Sequence, residues 1–153
     1  MVETDKGTHL EMSIEGRKAL ADDGLFTSPE KWGNLPSGEA YIAPAEGTAN
    51  GVLVVDGSAA FLGRLKQPIT LIIKDGFVQR ESLPDEIVEK IEGYGQCAFN
   101  VAEFGIGLNP KAIVTGNILE DEKAGFTAHL AIGANSDFGG SVSCPCHLDF
   151  VFY

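Results

Sequence analysis

The chain has 153 residues, 44% of them hydrophobic and 22% charged, and carries a formal net charge of −11. This length suits one domain with its own core, and the composition excludes a disordered tract. The acidic excess excludes an electrostatic hold on nucleic acid or an anionic membrane, because both require clustered Lys and Arg.

Residues 9–15 alternate apolar and polar, which predicts a half-buried strand with Leu10, Met12 and Ile14 inward. Residues 24–38 are rich in Pro, Gly, Ser and Asn and form a loop carrying the single tryptophan, Trp32. Strands are predicted at 40–43 and 51–55, then at 60–65 and 69–73, where Asp75-Gly76 signals a hairpin. Ser82 is the expected N-cap of a helix whose apolar stripe is Ile87, Val88 and Ile91, and which ends at residues 93–95. Residues 97–104 read as a strand, 119–132 as a second helix despite Gly125, and 147–153 as a closing strand. Nineteen glycines fall at turns between short apolar runs. The expected fold class is α+β, a strand-rich mixed β domain with two or three helices. Residues 1–153 read as one metal-binding, catalytic-type domain. The apolar stop at Phe152-Tyr153 reads as the edge of a longer two-domain protein.

No apolar run approaches the ~20 residues of a membrane span, and the polar N-terminus lacks the signature of a signal peptide. The three cysteines, Cys97, Cys144 and Cys146, are too few and odd for a disulfide framework, so a reducing cytoplasm is expected. Cys97 is expected as a small buried residue. Cys144-Pro145-Cys146-His147 looks like half of a zinc site, but no second Cys/His pair stands at the matching spacing.

Five residues offer metal-ligating chemistry. His147 and Asp149 are two apart, so on a strand both leave one face, either toward one ion or toward water. His129 follows Glu122 by seven residues, which on a helix is two turns and one face. Glu122 can then orient a ligand from behind, and His129 itself can be either a ligand or a core residue. Glu39 stands where a Pro-Ser-Gly loop meets an apolar strand. Glu103 has Val101, Ala102, Phe104 and Ile106 around it, so its carboxylate must pair, bind a cation or reach solvent.

In chain order, the stretches are Ser13-Ile14-Glu15-Gly16-Arg17, Gly33-Asn34-Leu35-Pro36-Ser37-Gly38-Glu39 with Ala43-Pro44, and Ala102-Glu103-Phe104-Gly105-Ile106-Gly107 with Asn109-Pro110. Glu120-Asp121-Glu122-Lys123, Ala128-His129-Leu130-Ala131 and His147-Leu148-Asp149 follow. Together they resemble the catalytic domain of the aminopeptidase T family of metallopeptidases. The resemblance implies two divalent ions, zinc, cobalt, manganese or magnesium, on Glu39, Glu103, His129, His147 and Asp149. The ions would activate a water for attack on peptide substrates, with Glu39 or Glu103 carrying the proton to the leaving amine. Homodimerisation of the full-length form is also implied. The chain departs from the family pattern at Ser136, where similar peptidases carry a tyrosine, and in a short stretch at 139–146. The same superfamily includes ring-opening dioxygenases similar to 2,5-dihydroxypyridine dioxygenase, in which His129, His147 and Asp149 would hold one Fe(II). A non-catalytic fragment is the third reading. The presence of both Glu39 and Glu103 makes the aminopeptidase the expected function.

Overall fold

The structure is a computed structural model and describes residues 1–153. Its strands are β1 (Val2–Glu3), β2 (His9–Glu11), β3 (Leu20–Asp22), β4 (Glu39–Ile42), β5 (Asn50–Val55) and β6 (Ser58–Ala59). They continue as β7 (Gly63–Arg64), β8 (Ile69–Lys74), β9 (Phe77–Val78), β10 (Val101–Gly107), β11 (Ala128–Gly133) and β12 (His147–Phe152). Two short α-helices, α1 (Asp85–Ile91) and α2 (Ile118–Asp121), complete the regular elements. The strands form two antiparallel sheets, ordered β1-β2-β5-β8-β9 and β3-β4-β10-β11-β12-β6-β7. The α+β class, dominated by strands, is the class expected.

The core lies where the sheets and α1 bury their apolar faces together. Leu10, Leu53, Val55, Leu71 and Ile73 come from the first sheet, and Ile87, Val88 and Ile91 from α1. Leu130, Ile132, Leu148, Phe150 and Phe152 come from the second sheet. The two-residue period of a strand then decides the site. With Leu130 and Ile132 facing the core on β11, His129 and Ala131 face the other way. With Leu148, Phe150 and Phe152 inward on β12, His147 and Asp149 share that second face. Removing the buried Phe150 ring, which stands opposite Leu130 on β11, would cost roughly 3–5 kcal/mol.

Several local expectations hold. Asp75 and Gly76 both have positive φ, 49° and 81°, as a two-residue hairpin turn between β8 and β9 requires. Others are corrected. The helix expected at 119–132 is only the four residues of α2, and His129 stands on β11. Gly125 and Phe126, the latter at φ 68°, turn the chain back, after which Leu130 and Ile132 pay into the core only as a strand. Ser82 does not cap α1: its hydroxyl accepts the Ile72 N–H and donates to the Gln79 carbonyl, and Pro84 takes the cap position. Residues 97–99 belong to a 3-10 turn, so β10 starts at Val101. Of residues 60–65, the first three are turn around Phe61, at φ 68°, and only Gly63–Arg64 is strand, as β7. The strand at 9–15 is cut to β2, leaving Ile14 exposed. Cys97 is disulfide-bonded to Cys144 across a Cα separation of 5.7 Å, and Cys146 is the free thiol. No helix is long and apolar enough to cross a membrane.

Candidate metal centre

Strand register gathers the predicted ligands on the outer face of the second sheet. Glu103 of β10, Ala131 of β11 and Asp149 of β12 stand in one cross-strand row. The small Ala131 between them lets the two carboxylates converge. In the next row on that face Gly105 of β10 pairs with His129, and one row further on Gly107 pairs with Glu39 of β4. A Cβ at Gly105 would overlap Nε2 and Cε1 of His129, so the glycine is what lets the imidazole lie across β10. Glu39 is therefore the first residue of a strand, not part of the loop.

All five predicted residues meet here. His129 Nε2 lies 3.1 Å from Glu103 Oε1 and 3.3 Å from Glu39 Oε2. His147 Nε2 lies 3.6 Å from Glu103 Oε2 and 3.8 Å from Asp149 Oδ1. Glu103 thus stands between the two imidazoles. The donor atoms form two triads, Glu39–Glu103–His129 and Glu103–His147–Asp149, each with all atoms within 4.8 Å. Glu122 is also buried at this point, although the helical argument that linked it to His129 fails.

The imidazoles are prepared differently. His147 Nδ1–H donates to the Ala134 carbonyl at 2.8 Å, which fixes the tautomer and leaves the Nε2 lone pair facing the carboxylates. His129 is fully buried, with Nε2 in the cluster and Nδ1 without a hydrogen-bond partner. Burial works to lower the His129 pKa, but the hydrogen bond to Glu103 and the charges of Asp149 and Glu39 outweigh it and raise it. Burial, reinforced by Glu122, pushes the Asp149 carboxyl well above the ordinary range. Burial and Glu122 likewise raise Glu39, against the pull of Lys123 and His129. Four buried carboxylates around two imidazoles make a pocket with unbalanced negative charge. Such a donor set fits a divalent cation, which relieves the repulsion and replaces the shared protons.

Sequence reasoning missed three features. Lys123 is fully buried, with Nζ 3.0 Å from Glu39 Oε1 and also paired to Glu122. Burial alone would lower its pKa, and the two carboxylates raise it instead. Arg17 pairs with Glu46 and donates to the Gly139 carbonyl. Glu46 in turn accepts from Ser141 N at 2.8 Å and Asn135 Nδ2 at 3.0 Å, clamping the loop that ends at β12. Both basic residues lie in stretches already singled out, yet nothing in a motif shows which carboxylate a cation will meet. The third feature is a cleft of about 490 Å³ above the cluster, walled by Trp32, Tyr41 and Phe138 with Asn34, Asn135 and Asp137. Phe138 packs edge-on between Tyr41 and His147, with both centroid separations 5.7 Å.

The sequence profile of the 2,5-dihydroxypyridine 5,6-dioxygenase family matches residues 1–153. The chain belongs to that family. It is 28% identical over 169 aligned residues to the 2,5-dihydroxypyridine 5,6-dioxygenase of Pseudomonas putida, covering 97% of this chain and 47% of that protein. The solved 2,5-dihydroxypyridine dioxygenase of Pseudomonas putida KT2440 superposes with a TM-score of 0.83 at 24% identity, over 98% of this chain and 48% of the other. Wild-type AmpT from Thermus thermophilus superposes less closely, at 0.56 and 22% identity, over 76% of this chain and 33% of the other. The two structural likenesses speak for the fold. The chain spans about half the length of the two dioxygenases and 33% of AmpT.

These findings correct the functional expectation. The similarity to aminopeptidase T is one of fold, and the hydrolase assignment with its peptide substrates falls to the profile match over the whole chain. The expectation had rested on the presence of both Glu39 and Glu103, residues that suit more than one metal chemistry. In the structure Glu39 meets Lys123 and His129, and Glu103 lies between the two imidazoles.

Proposed function

We propose that this chain is the metal-bearing part of a ring-cleaving dioxygenase. It would hold one Fe(II) on His129, His147 and Asp149 and accept a small dihydroxylated aromatic or N-heteroaromatic ring. The observation that carries the reading is the convergence of two imidazoles and Asp149 from adjacent strands in a chain of this family. A ferrous ion bound there supplies the redox chemistry that joins dioxygen to an electron-rich ring.

The chain's own residues do the rest. Ala134 O keeps the His147 proton on Nδ1. Glu103, facing both imidazoles, is placed to take a hydroxyl proton from a bound ring. Trp32, Tyr41 and Phe138 offer flat apolar walls for such a ring, while Asn34, Asn135 and Asp137 can hydrogen-bond its substituents.

The test is oxygen uptake by the anaerobically reconstituted ferrous protein on addition of 2,5-dihydroxypyridine. Uptake should match ring loss one to one and vanish in His147→Ala. A fully iron-loaded wild-type chain that consumes no oxygen with this ring or other dihydroxylated rings would refute the reading.

A further inference from the structure

We propose that Glu46 is a positioning residue that holds the ring-binding wall of the cleft in place, independently of the metal ligands. The inference rests on the ring-cleaving reading above and concerns what keeps the binding surface in shape. The segment between β11 and β12, residues 134–146, supplies much of that surface, since Asn135, Ser136, Asp137 and Phe138 all line the cleft. Its two ends are fastened by the sheet, where Gly133 pairs with His147 and the Ala134 N–H donates to Cys146 O at 2.9 Å. Its middle lies outside the ladder, and there Glu46 takes hold.

Glu46 stands in the turn between β4 and β5, and that turn is laced to the stretch that carries Arg17. The Ala45 N–H donates to Ser13 O at 2.8 Å, and the Ser13 N–H donates to Thr48 Oγ1 at 3.1 Å. Arg17 thereby arrives beside Glu46, pairs with its Oε2 and donates from Nη1 to the Gly139 carbonyl. Glu46 Oε1 accepts from Ser141 N at 2.8 Å and from Asn135 Nδ2 at 3.0 Å. Asn135 is fully buried and carries this hold to the wall. Its Oδ1 accepts from Val142 N at 2.8 Å, and its carbonyl from Gly140 N at 2.9 Å and Phe138 N at 3.3 Å. The short turn of residues 136–138 springs from this asparagine and sets the Phe138 ring between Tyr41 and His147. Without the carboxylate, the buried Asn135 amide and the Ser141 N–H lose a charged acceptor, and the turn loosens. His147 has separate support, from its ladder with β11 and from the Ala134 carbonyl. Glu46 therefore governs the wall rather than the metal.

The experiment compares wild type, Glu46→Ala and the milder Glu46→Gln, each loaded anaerobically with Fe(II). Binding of 2,5-dihydroxypyridine is read from quenching of Trp32, the single tryptophan, which lines the cleft. Chelator competition reads iron affinity, and amide hydrogen exchange reads residues 134–142 against the paired strands β11 and β12. Glu46→Ala should weaken ring binding by ~10–100-fold, leave iron affinity unchanged and speed exchange in residues 134–142 but not in the strands. Glu46→Gln keeps an oxygen for Asn135 and Ser141 but loses the charge that holds Arg17, so it should fall between. Ring binding as tight as in wild type, or iron lost in step with the ring, in whichever variant folds would overturn the proposal and leave Glu46 a purely structural residue. The exchange is measured without ring or oxygen, and a rate in residues 134–142 equal to that of wild type would overturn the proposal as well. A wild type that neither binds nor consumes any dihydroxylated ring counts against the ring-cleaving reading alone, and the exchange pattern still decides whether Glu46 holds the wall.

Discussion

Gly105→Ala isolates the geometry of the site from its chemistry. Gly105 is not in the left-handed region, so its backbone accepts alanine without strain. The new methyl would instead land on Nε2 and Cε1 of His129, the cross-strand neighbour. The imidazole would have to retreat by more than ~1 Å to reach ordinary contact distance, and it is fully buried in a close-packed interior. Overpacking of this kind costs roughly 1–3 kcal/mol in stability. Displacing a ligand by that amount should weaken metal binding by at least the ~10–100-fold seen when an outer hydrogen bond is lost. Competition with a chromogenic ferrous chelator under anaerobic conditions reads the affinity, and a urea melt reads the stability. Gly93→Ala is the control, since a Cβ there meets open space and should change either quantity little. If Gly105→Ala bound Fe(II) as tightly as wild type, His129 Nε2 would not be a ligand and the donor set would need redrawing.

Two further outcomes follow from ties outside the metal cluster. The Cys97–Cys144 bridge closes a loop of 47 residues, worth up to ~4 kcal/mol in chain entropy, so the Cys97→Ser/Cys144→Ser variant should melt at markedly lower urea than the oxidised chain. Identical midpoints would mean that the bridge constrains nothing. Burial tends to raise the Glu46 carboxyl, but hydrogen bonds from Ser141 N, its own backbone and Asn135, together with Arg17, hold it down to about 2. A folded pKa below the ordinary 4.5 means that its stabilisation is complete above pH ~4.5 and is lost as pH falls toward 2. After allowance for solvent, the term is about 1 kcal/mol. The stability gap between wild type and Glu46→Gln should accordingly be present at pH 7 and close toward pH 2, and a gap constant over that range would contradict it.

The sequence made the strand-rich class legible because alternation and turn chemistry are local. Asp75-Gly76 names its own turn, and the apolar positions of 147–152 announce a core strand. His129 was misplaced for an equally local reason. A short apolar run such as Ala128 to Gly133 has no period that separates strand from helix, and tertiary pairing with β10 and β12 decides it. Of the five ligand candidates, Glu103 stood out because a carboxylate in an apolar setting demands a partner, His147 and Asp149 because their spacing puts them on one strand face, and the full set came from the family resemblance. Which partners they take was hidden, since Lys123 reaches Glu39 and Glu103 reaches His147 only after the sheet has formed. The disulfide was hidden for the same reason: Cys97 and Cys144 are 47 residues apart and meet only through the packing of their turns.

The donor set by itself does not select a reaction. Two imidazoles and three carboxylates suit a hydrolytic pair of ions as well as a lone redox metal, and the residue types are the same in either case. What differs is the commitment of each charge. Here one glutamate is matched to an internal lysine, and another spans both imidazoles. Ser136 lines the cleft together with Trp32, Tyr41 and Phe138. Under the proposed reading, three aromatic rings beside a short hydroxyl would suit a flat ring better than an extended peptide backbone, which needs a row of hydrogen-bonding partners. Under the proposed reading, the residues that neutralise and surround the ligands are the ones whose replacement should move the chemistry.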